Sequence, residues 1–373
     1  MTITITSDFD GGNIEVLTID GDTADLAIRA DNLSDFYQWF YFRVSGAAGR
    51  ALTLRITNCA GSAYPDGWSG YKARVSEDGA EWRQTPTDYA EGVLTIHAEP
   101  KGDSVEVAYF APYSSEQHAA LIERFAAKPG VTRALLCRTL DGRPLESLTM
   151  GEGRKQVWFY ARQHPGETMA EWWMEGALEK LTDPGDATAK LLREKATITL
   201  VPNMNPDGSA RGHLRTNAAG VNLNREWHAP SEAQSPEVLH VLRAMDETGV
   251  DFAMDVHGDE AIPAAFMAGF EGIPSWNEKQ AGLYTKYRNT LAERTPDFQT
   301  RLGYVESAPG QANLSMSTAQ LAERFGAVSM TLEMPFKDND DAPDPAHGWS
   351  PVRSKKLAHD CLDNLAAMID EIG

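Results

Sequence analysis

Two histidines and one glutamate have the side-chain types that proteins use to bind a catalytic metal ion. His164 and Glu167 stand three residues apart in the segment His164-Pro-Gly-Glu167, which follows a predicted strand and precedes a predicted helix. His257 closes a second predicted strand. Two imidazoles and one carboxylate are the ligand set of a hydrolytic zinc ion, whose fourth position stays open for water. A His-x-x-Glu pair alone is more often structural, so the metal hypothesis depends on His257 reaching the same place.

Two further carboxylates fall at predicted strand ends. Glu333 follows the apolar strand Ala327–Leu332, and beside a metal ion it would be placed to act as a general base. A helix cap or an ion pair is the alternative role for Glu333. Asp255 shares a strand face with His257 and would support that histidine, unless it belongs to a solvated strand end.

Arginines and amides are concentrated between residues 201 and 225. Arg215, Asn224 and Arg225 could recognise a carboxylate, because a guanidinium group offers two parallel donors to it. A surface loop with salt-bridged arginines is the alternative interpretation.

Strands and helices alternate in the second part of the chain, which must position these side chains. The pattern predicts an α/β fold whose mixed, mainly parallel sheet is covered by helices, with ligands beyond the carboxyl ends of its strands. The predicted strands are Arg133–Arg138, Gln156–Ala161, Thr197–Val201, Phe252–Val256 and Ala327–Leu332, and the predicted helices are Thr168–Leu181, Pro236–Glu247, Asn277–Glu293 and Arg353–Ile372.

Short strands separated by turn residues dominate the first part of the chain. Without intervening helical segments, this spacing predicts an antiparallel β-sandwich. The run Trp39-Phe-Tyr-Phe42 is expected to supply its core, with a carbohydrate-binding surface as the alternative. We therefore predict two domains, a sandwich over residues 1–113 and a catalytic domain over residues 114–373.

Charge and cysteine content exclude several classes of function. The 373 residues include 34 Lys and Arg against 54 Asp and Glu, a net charge of −20, which argues against binding to nucleic acids and to anionic membranes. Three widely spaced cysteines do not form a disulfide framework. No secretory signal is visible, so a cytoplasmic protein is expected.

Six short motifs occur in the order found in zinc carboxypeptidases of the carboxypeptidase A type, which the chain resembles: His164-Pro-Gly-Glu167, Asn205-Pro-Asp-Gly208, Arg215, Leu223-Asn224-Arg225, Asp255-Val-His257-Gly and Thr331-Leu-Glu333. The segments Phe9-Asp-Gly-Gly-Asn13, Trp39-Phe-Tyr-Phe-Arg43 and Tyr109-Phe-Ala-Pro-Tyr113 resemble the sandwich that precedes the catalytic domain in the cytosolic carboxypeptidase branch. The resemblance covers nearly the whole chain.

The resemblance implies a role for each of these side chains. His164, Glu167 and His257 would hold zinc, and Glu333 would be the base for the water that attacks the peptide bond. Arg215 would stabilise the oxyanion of the scissile carbonyl group. Asn224 and Arg225 would bind the terminal carboxylate of a peptide or protein, which would make the protein an exopeptidase.

Three positions depart from the family pattern or stay unassigned. Asn222 stands where the family often has an aspartate that supports the first zinc histidine, so either zinc affinity or the basicity of that histidine is expected to be lower. Thr318, fifteen residues before Glu333, stands where deglutamylating relatives have a basic residue, which leaves release of C-terminal glutamate open. Tyr304 is a candidate for the family's mobile tyrosine, without a spacing that assigns it.

The sequence also leaves rival functions open. A zinc amidohydrolase or deacylase acting on small N-acyl amino acids would use the same metal and base. A non-catalytic peptide-binding protein would be expected to lack Glu333 or a metal ligand, and the sequence retains them all. The oligomeric state and the preferred terminal residue are not assigned.

Overall fold

Ten short strands build the first part of the chain in the computed structural model, which describes residues 2–373. They form two five-stranded sheets, in the orders β1-β4-β10-β6-β7 and β2-β3-β5-β9-β8. The strands are β1 (Thr4–Thr6), β2 (Glu15–Asp20), β3 (Thr23–Ala27), β4 (Tyr41–Ser45), β5 (Leu52–Ile56), β6 (Arg74–Ser76), β7 (Arg83–Gln84), β8 (Thr87–Ala90), β9 (Val93–Ala98) and β10 (Ser104–Ala108).

The predicted antiparallel sandwich is confirmed, with one parallel pair. Strands β3 and β5 run parallel because the chain leaves their sheet to form β4 in the other sheet and then returns. Trp39, Phe40 and Phe42 are at most 3% exposed, so the predicted aromatic core is also confirmed. Alternate residues of these strands point inward, which is the burial pattern of two sheets packed face to face.

Seven strands and eight helices build the remainder of the described chain. The strands are β11 (Val131–Arg138), β12 (Pro144–Met150), β13 (Lys155–Ala161), β14 (Ala196–Val201), β15 (Phe252–Asp259), β16 (Phe266–Ala268) and β17 (Val328–Pro335). The helices are α1 (Ser115–Ala126), α2 (Met169–Leu181), α3 (Ala187–Lys195), α4 (Pro206–Arg211), α5 (Pro236–Thr248), α6 (Glu278–Arg294), α7 (Ser317–Phe325) and α8 (Pro351–Met368).

These seven strands form one mixed sheet in the order β11-β12-β14-β13-β15-β17-β16. Its four central strands, from β14 to β17, are parallel, and the flanking pairings are antiparallel. The predicted mixed α/β fold is confirmed, and parallel pairing is confined to the centre. The sheet therefore presents the carboxyl ends of its central strands at one edge.

Helices cover both faces of this sheet. Along β13, Phe159 packs in the hydrophobic cluster that contains Trp173 of α2, whereas Trp158 packs in the cluster that contains Val241 of α5. All eight residues of β15 and of β17 are buried. Both strands also run three residues further than predicted, to Asp259 and Pro335, so His257 and Glu333 lie within rigid strands rather than after them.

Candidate metal centre and catalytic cleft

The register of the central strands brings the candidate residues to one edge of the sheet. In the parallel pair β15 and β17, His257 lies opposite Glu333, and Asp255 lies opposite Thr331. Side chains two residues apart in a strand share a face, so Asp255 and His257 project the same way. Strand β13 ends at Ala161, paired with Val256, and the chain then turns toward His257.

The turn after β13 places His164 and Glu167. Arg162 opens it with a φ of 60°, a conformation that few residues other than glycine adopt. Gly166 donates its N–H to the carbonyl oxygen of Leu214 at 2.9 Å, and a Cβ at this glycine would lie 3.0 Å from that oxygen. Glycine therefore allows the turn to pack directly on the segment around Leu214. Helix α2 starts at Met169 and fixes the far end of the turn.

The three candidate metal ligands form a tight buried cluster. His164 Nδ1 lies 2.7 Å from Glu167 Oε1, and His257 Nδ1 lies 2.6 Å from Glu167 Oε2. The two Nδ1 atoms lie 3.1 Å apart. All three side chains are at most 4% exposed. Their ligand atoms lie within 4.8 Å of one another, which is close enough for one ion to bind all three.

The outer nitrogens of both imidazoles face acceptors. His164 Nε2 lies 3.0 Å from Asn222 Oδ1, an oxygen that also accepts the Asn224 N–H, so this nitrogen carries the proton. His257 Nε2 lies 2.8 Å from Asp255 Oδ1 in an ionic contact that lacks hydrogen-bond geometry. In the neutral rings both Nδ1 lone pairs then point at Glu167. Two nitrogen lone pairs and a carboxylate that converge in this way can bind a divalent cation, and zinc is a cation that prefers these ligands.

The electrostatics of the cluster also favour a cation at its centre. Burial and the Arg215 charge lower the pKa of His164 to about 4, so this ring is neutral at ordinary pH. Burial lowers the pKa of His257, but the charges of Asp255 and Glu167 outweigh it and raise that pKa well above its usual value. Burial likewise opposes ionisation of Glu167, and the two histidines reverse this and lower its pKa. One positive charge is therefore favoured here, in the place that a metal ion would take.

Glu333 borders this cluster with one carboxylate oxygen free. Its Oε1 accepts the Tyr304 hydroxyl at 3.2 Å, and no described residue bonds to its buried Oε2. The single Tyr304 proton is shared with Asp259 Oδ2, which is the nearer acceptor at 2.8 Å. Burial raises the pKa of Glu333 well above its usual value; His257 opposes the rise, while Glu167 and Asp259 add to it. The tyrosine that the sequence leaves unassigned thus contacts the candidate base.

Arg215 presents its guanidinium group to the cleft without a protein acceptor among residues 2–373. The rings of Phe36 and Tyr64 lie against it, with centroids 5.7 and 5.4 Å from Cζ. Its main chain is bound by Asp31, which no sequence motif indicated. Five N–H donors in one fork are therefore available to a ligand.

Asn224 and Arg225 lie in a short helical turn beside Arg215. Asn224 Oδ1 accepts the Ser317 N–H at 2.9 Å, which leaves its amide NH₂ group for a ligand. Arg225 donates to the Asn224 carbonyl oxygen at 2.6 Å. Burial and the Arg215 charge lower the pKa of Arg225, as expected for two cations that share one cleft.

Asp255 is completely buried behind His257, so the solvated alternative for this residue is wrong. Its Oδ2 accepts from Ser317 Oγ at 2.5 Å and from Gln163 Nε2 at 2.6 Å. Sequence reasoning missed Gln163 and Ser317, although Gln163 directly precedes His164 and Ser317 precedes Thr318. These bonds fix the carboxylate that faces His257.

A cavity of about 420 Å³ opens next to Tyr304. Thr318 and Thr331 lie on its wall, with their hydroxyl oxygens 2.7 Å apart. Arg288 and Glu271 line it farther along. No described carboxylate lies within 4.0 Å of the Arg288 guanidinium, and its buried Nε has no hydrogen-bond partner. A side chain entering from the cleft would meet two hydroxyls and then this cation.

Comparisons with known proteins agree with this geometry. A sequence model of the cytosolic carboxypeptidase N-terminal domain matches residues 5–110, and a model of zinc carboxypeptidases matches residues 118–262. A metallo-carboxypeptidase from Burkholderia cenocepacia is 43% identical, with a TM-score of 0.97, over 99% of this chain and 100% of that one. The chain belongs to the zinc carboxypeptidase family. The predicted resemblance is confirmed, and the protein is a peptidase rather than a silent binding protein.

Two further relatives define the branch of this zinc carboxypeptidase. A Pseudomonas aeruginosa metallo-carboxypeptidase in complex with (2-guanidinoethylmercapto)succinic acid is 45% identical, with a TM-score of 0.96, over 99% of each chain. Human cytosolic carboxypeptidase 1 is 30% identical over 70% of this chain, which spans about a quarter (26%) of that relative's length.

Among residues 2–373, no helix is both long and apolar enough to cross a membrane.

Proposed function

We propose that this zinc carboxypeptidase removes the C-terminal residue of peptides or proteins, with His164, Glu167 and His257 holding zinc. The observation that carries the proposal is the convergence of three buried donors next to a carboxylate that has a free oxygen. When bound, zinc acts as a Lewis acid and lowers the pKa of a water molecule to roughly 7. The cytosolic relatives support a cytoplasmic setting.

Glu333 is the proposed general base and acid. Its free Oε2 accepts a proton from the attacking water as the water oxygen bonds to the scissile carbonyl carbon. It then delivers the proton to the amide nitrogen as the carbon–nitrogen bond breaks, so an acid and an amine leave. Tyr304, bonded to Oε1, would hold the carboxylate in position between these two transfers.

Arg215, Asn224 and Arg225 are the proposed recognition groups for the substrate main chain. The unpaired guanidinium of Arg215 donates to the oxygen of the scissile carbonyl group, where negative charge develops. Arg225 and the free amide of Asn224 bind the terminal carboxylate. Only a chain end offers that carboxylate, so the proposed reaction is an exopeptidase reaction.

The cavity beside Tyr304 is the proposed site of the terminal side chain. Arg288 forms no ion pair within 4.0 Å, although its charge attracts Glu271, and this cation supports release of acidic residues, including glutamate, even though Thr318 replaces the basic residue of deglutamylating relatives. Glu271 and Glu306 line the same cavity and would favour a basic side chain instead. The guanidino ligand of the Pseudomonas relative makes that second preference a necessary part of the test.

The activity is tested with zinc-loaded protein and matched peptides that end in a free carboxylate or an amide. We expect release from the free acids only, abolished by a chelator. Release from amidated peptides would contradict the roles of Asn224 and Arg225. Cleavage of N-acyl amino acids without release from any peptide would favour the deacylase alternative.

Side-chain preference is tested with peptides that differ only in the last residue: Glu, Asp, Leu, Phe or Lys. We expect the highest kcat/KM with Glu, and about a 10- to 100-fold loss for Glu alone in Arg288→Gln, since a charge-assisted hydrogen bond is removed. Arg294→Gln, an exposed position of the same helix, is the matched control. A Lys preference, or equal effects of both variants, would contradict the assignment of Arg288.

A further inference from the structure

One carboxylate from the sandwich binds the main chain that carries Arg215. Asp31 is 3% exposed and accepts the N–H groups of Leu214 at 2.7 Å, Arg215 at 2.8 Å and Thr216 at 2.9 Å. It also accepts the Thr216 hydroxyl at 3.0 Å. Three successive amides around one anion form a nest that fixes the local backbone. Asp31 lies more than 180 residues away from this segment in the sequence.

Two other residues of the sandwich hold the chain immediately before this segment. Asn13 Nδ2 donates to the Gly212 carbonyl oxygen at 3.0 Å, and Asn32 donates its N–H to His213 Nε2 at 3.0 Å. Gly212 has a φ of 69°, and a Cβ there would lie 2.6 Å from the Gly12 carbonyl oxygen. The two main chains are therefore packed too closely for a side chain between them.

The side chain of Arg215 also rests on the sandwich. Phe36 and Tyr64, whose rings contact the guanidinium, both precede β10. Arg215 therefore takes its backbone position from Asp31 and its side-chain packing from two aromatic rings. None of the residues 2–373 accepts a hydrogen bond from that guanidinium, so its two aromatic neighbours are the contacts that position it.

We propose that Asp31 is a positioning residue for Arg215, and that the N-terminal sandwich thereby completes the active site. This inference rests on the proposed role of Arg215 in peptide hydrolysis. Without the carboxylate, three amide N–H groups would lose their acceptor and the segment would shift. A displacement of about 1 Å in a group that stabilises a transition state can lower the rate about 100-fold. Arg215 would then be present but misdirected.

A double-mutant cycle tests the proposal by measuring peptide release from the intact chain. Asp31→Asn should lower kcat about 10- to 100-fold with little change in KM, because the lost interaction belongs to the transition state. In an Arg215→Ala background, the same change should lower kcat less than twofold further. Asp10→Asn is the matched control, since Asp10 accepts two bonds from Ser115 of the catalytic part but does not contact Arg215. Additive losses, or an equal loss in the control, would overturn the proposal.

Amide hydrogen exchange separates this inference from the proposed function. In Asp31→Asn, exchange at Leu214, Arg215 and Thr216 should become at least tenfold faster, with unchanged exchange in β15. Unchanged exchange at the three amides would overturn the positioning role even if the enzyme is active. A wild-type protein that releases no residue, combined with faster exchange in the variant, would contradict the proposed function alone.

Phe36→Leu provides a second variant that does not threaten folding, because the Phe36 ring is partly exposed. Loss of the ring should lower kcat about threefold, and the loss should disappear in the Arg215→Ala background. An undiminished effect in that background would show that Phe36 acts elsewhere and would count against the role of the sandwich.

Discussion

The two histidines of the proposed metal centre are held by different kinds of structure. His257 lies inside the fully buried strand β15, and its outer nitrogen faces the carboxylate of Asp255. His164 lies in a turn, and its outer nitrogen bonds to the neutral amide of Asn222, which is only half buried. The strand-borne half of the centre is therefore His257 with a charged partner, Asp255. The loop-borne half is His164 with a neutral partner, Asn222.

The difference indicates how the two parts of the chain share the site. The His257 half is fixed by sheet register and by the bonds of Asp255 to Ser317 and Gln163. The His164 half depends on Gly166, which donates its N–H to the carbonyl oxygen of Leu214. Leu214 in turn donates its own N–H to Asp31. The sheet thus sets the position of one ligand, whereas contacts with the sandwich support the other.

The largest effect is expected on the strand-borne half, from Glu333→Gln. The change removes the proposed base but keeps the shape of the side chain, so kcat should fall about 10³-fold. Metal analysis should still find the wild-type amount of zinc, since Glu333 is not a ligand in this account. Retained activity, or loss of zinc together with activity, would remove Glu333 from the role of base.

Asp255→Asn should weaken the strand-borne half next. Its carboxylate faces His257 Nε2, and loss of such a partner typically costs about 10- to 100-fold in metal affinity. Competition with a zinc-binding dye measures the change. An unchanged zinc affinity would mean that the Asp255 carboxylate does not strengthen zinc binding by His257.

Asn222→Asp should make the two halves alike, because each histidine would then have a carboxylate next to its outer nitrogen. The new carboxylate can still accept from His164 Nε2 and from the Asn224 N–H, and its charge strengthens the imidazole as a ligand. We expect zinc affinity to rise by up to about tenfold in the same dye assay. Weaker binding would show that the neutral amide is required at this position.

The smallest expected effect is on the stability of the fold near the loop-borne half, and it depends on pH. Burial raises the pKa of Glu237 from 4.5 to about 7, and Glu237 Oε2 accepts from Asn217 of the Arg215 segment at 3.3 Å. The folded state thus binds a proton that the unfolded state has lost, so this contribution to stability is complete below pH 4.5 and declines as pH rises toward 7.

Glu237→Gln should remove that decline. Denaturant unfolding at pH 8 should show the variant more stable than wild type by on the order of 3 kcal/mol, with little difference near pH 4.5. A difference that is independent of pH would assign the effect to packing rather than to proton binding.

Sequence reasoning succeeded where local pattern and chemistry coincide. Apolar runs predicted the central strands, and motif residues at their ends brought His164, His257 and Glu333 to one edge, where the structure places them. Helix α1 and strand β12 were not predicted. Helix α1 does carry a local signal, since Ser114 Oγ accepts the Gln117 N–H and Gln117 Oε1 accepts the Ser114 N–H in a capping box. Strand β12 is buried along most of its length without a regular alternation that would mark it.

The partners that orient the site could not be predicted. Asp31 contacts Leu214 across the boundary between sandwich and catalytic part, and Ser317 contacts Asp255 across the sheet. Neither contact has a local signal, since each depends on how distant elements pack. The placement of Arg288 in the cavity wall beside the ring of Tyr284 likewise depends on the folded structure and not on its neighbours in sequence.

In the proposed reaction, one zinc ion held by His164, Glu167 and His257 enables removal of a C-terminal residue. Chelator-treated protein would be titrated with zinc while bound metal per chain and release from a free-acid peptide are measured together. We expect activity to rise in proportion to bound zinc and to level off at one ion per chain, with no recovery in His257→Ala. Full activity before any zinc is added, or saturation with zinc without any release, would contradict it.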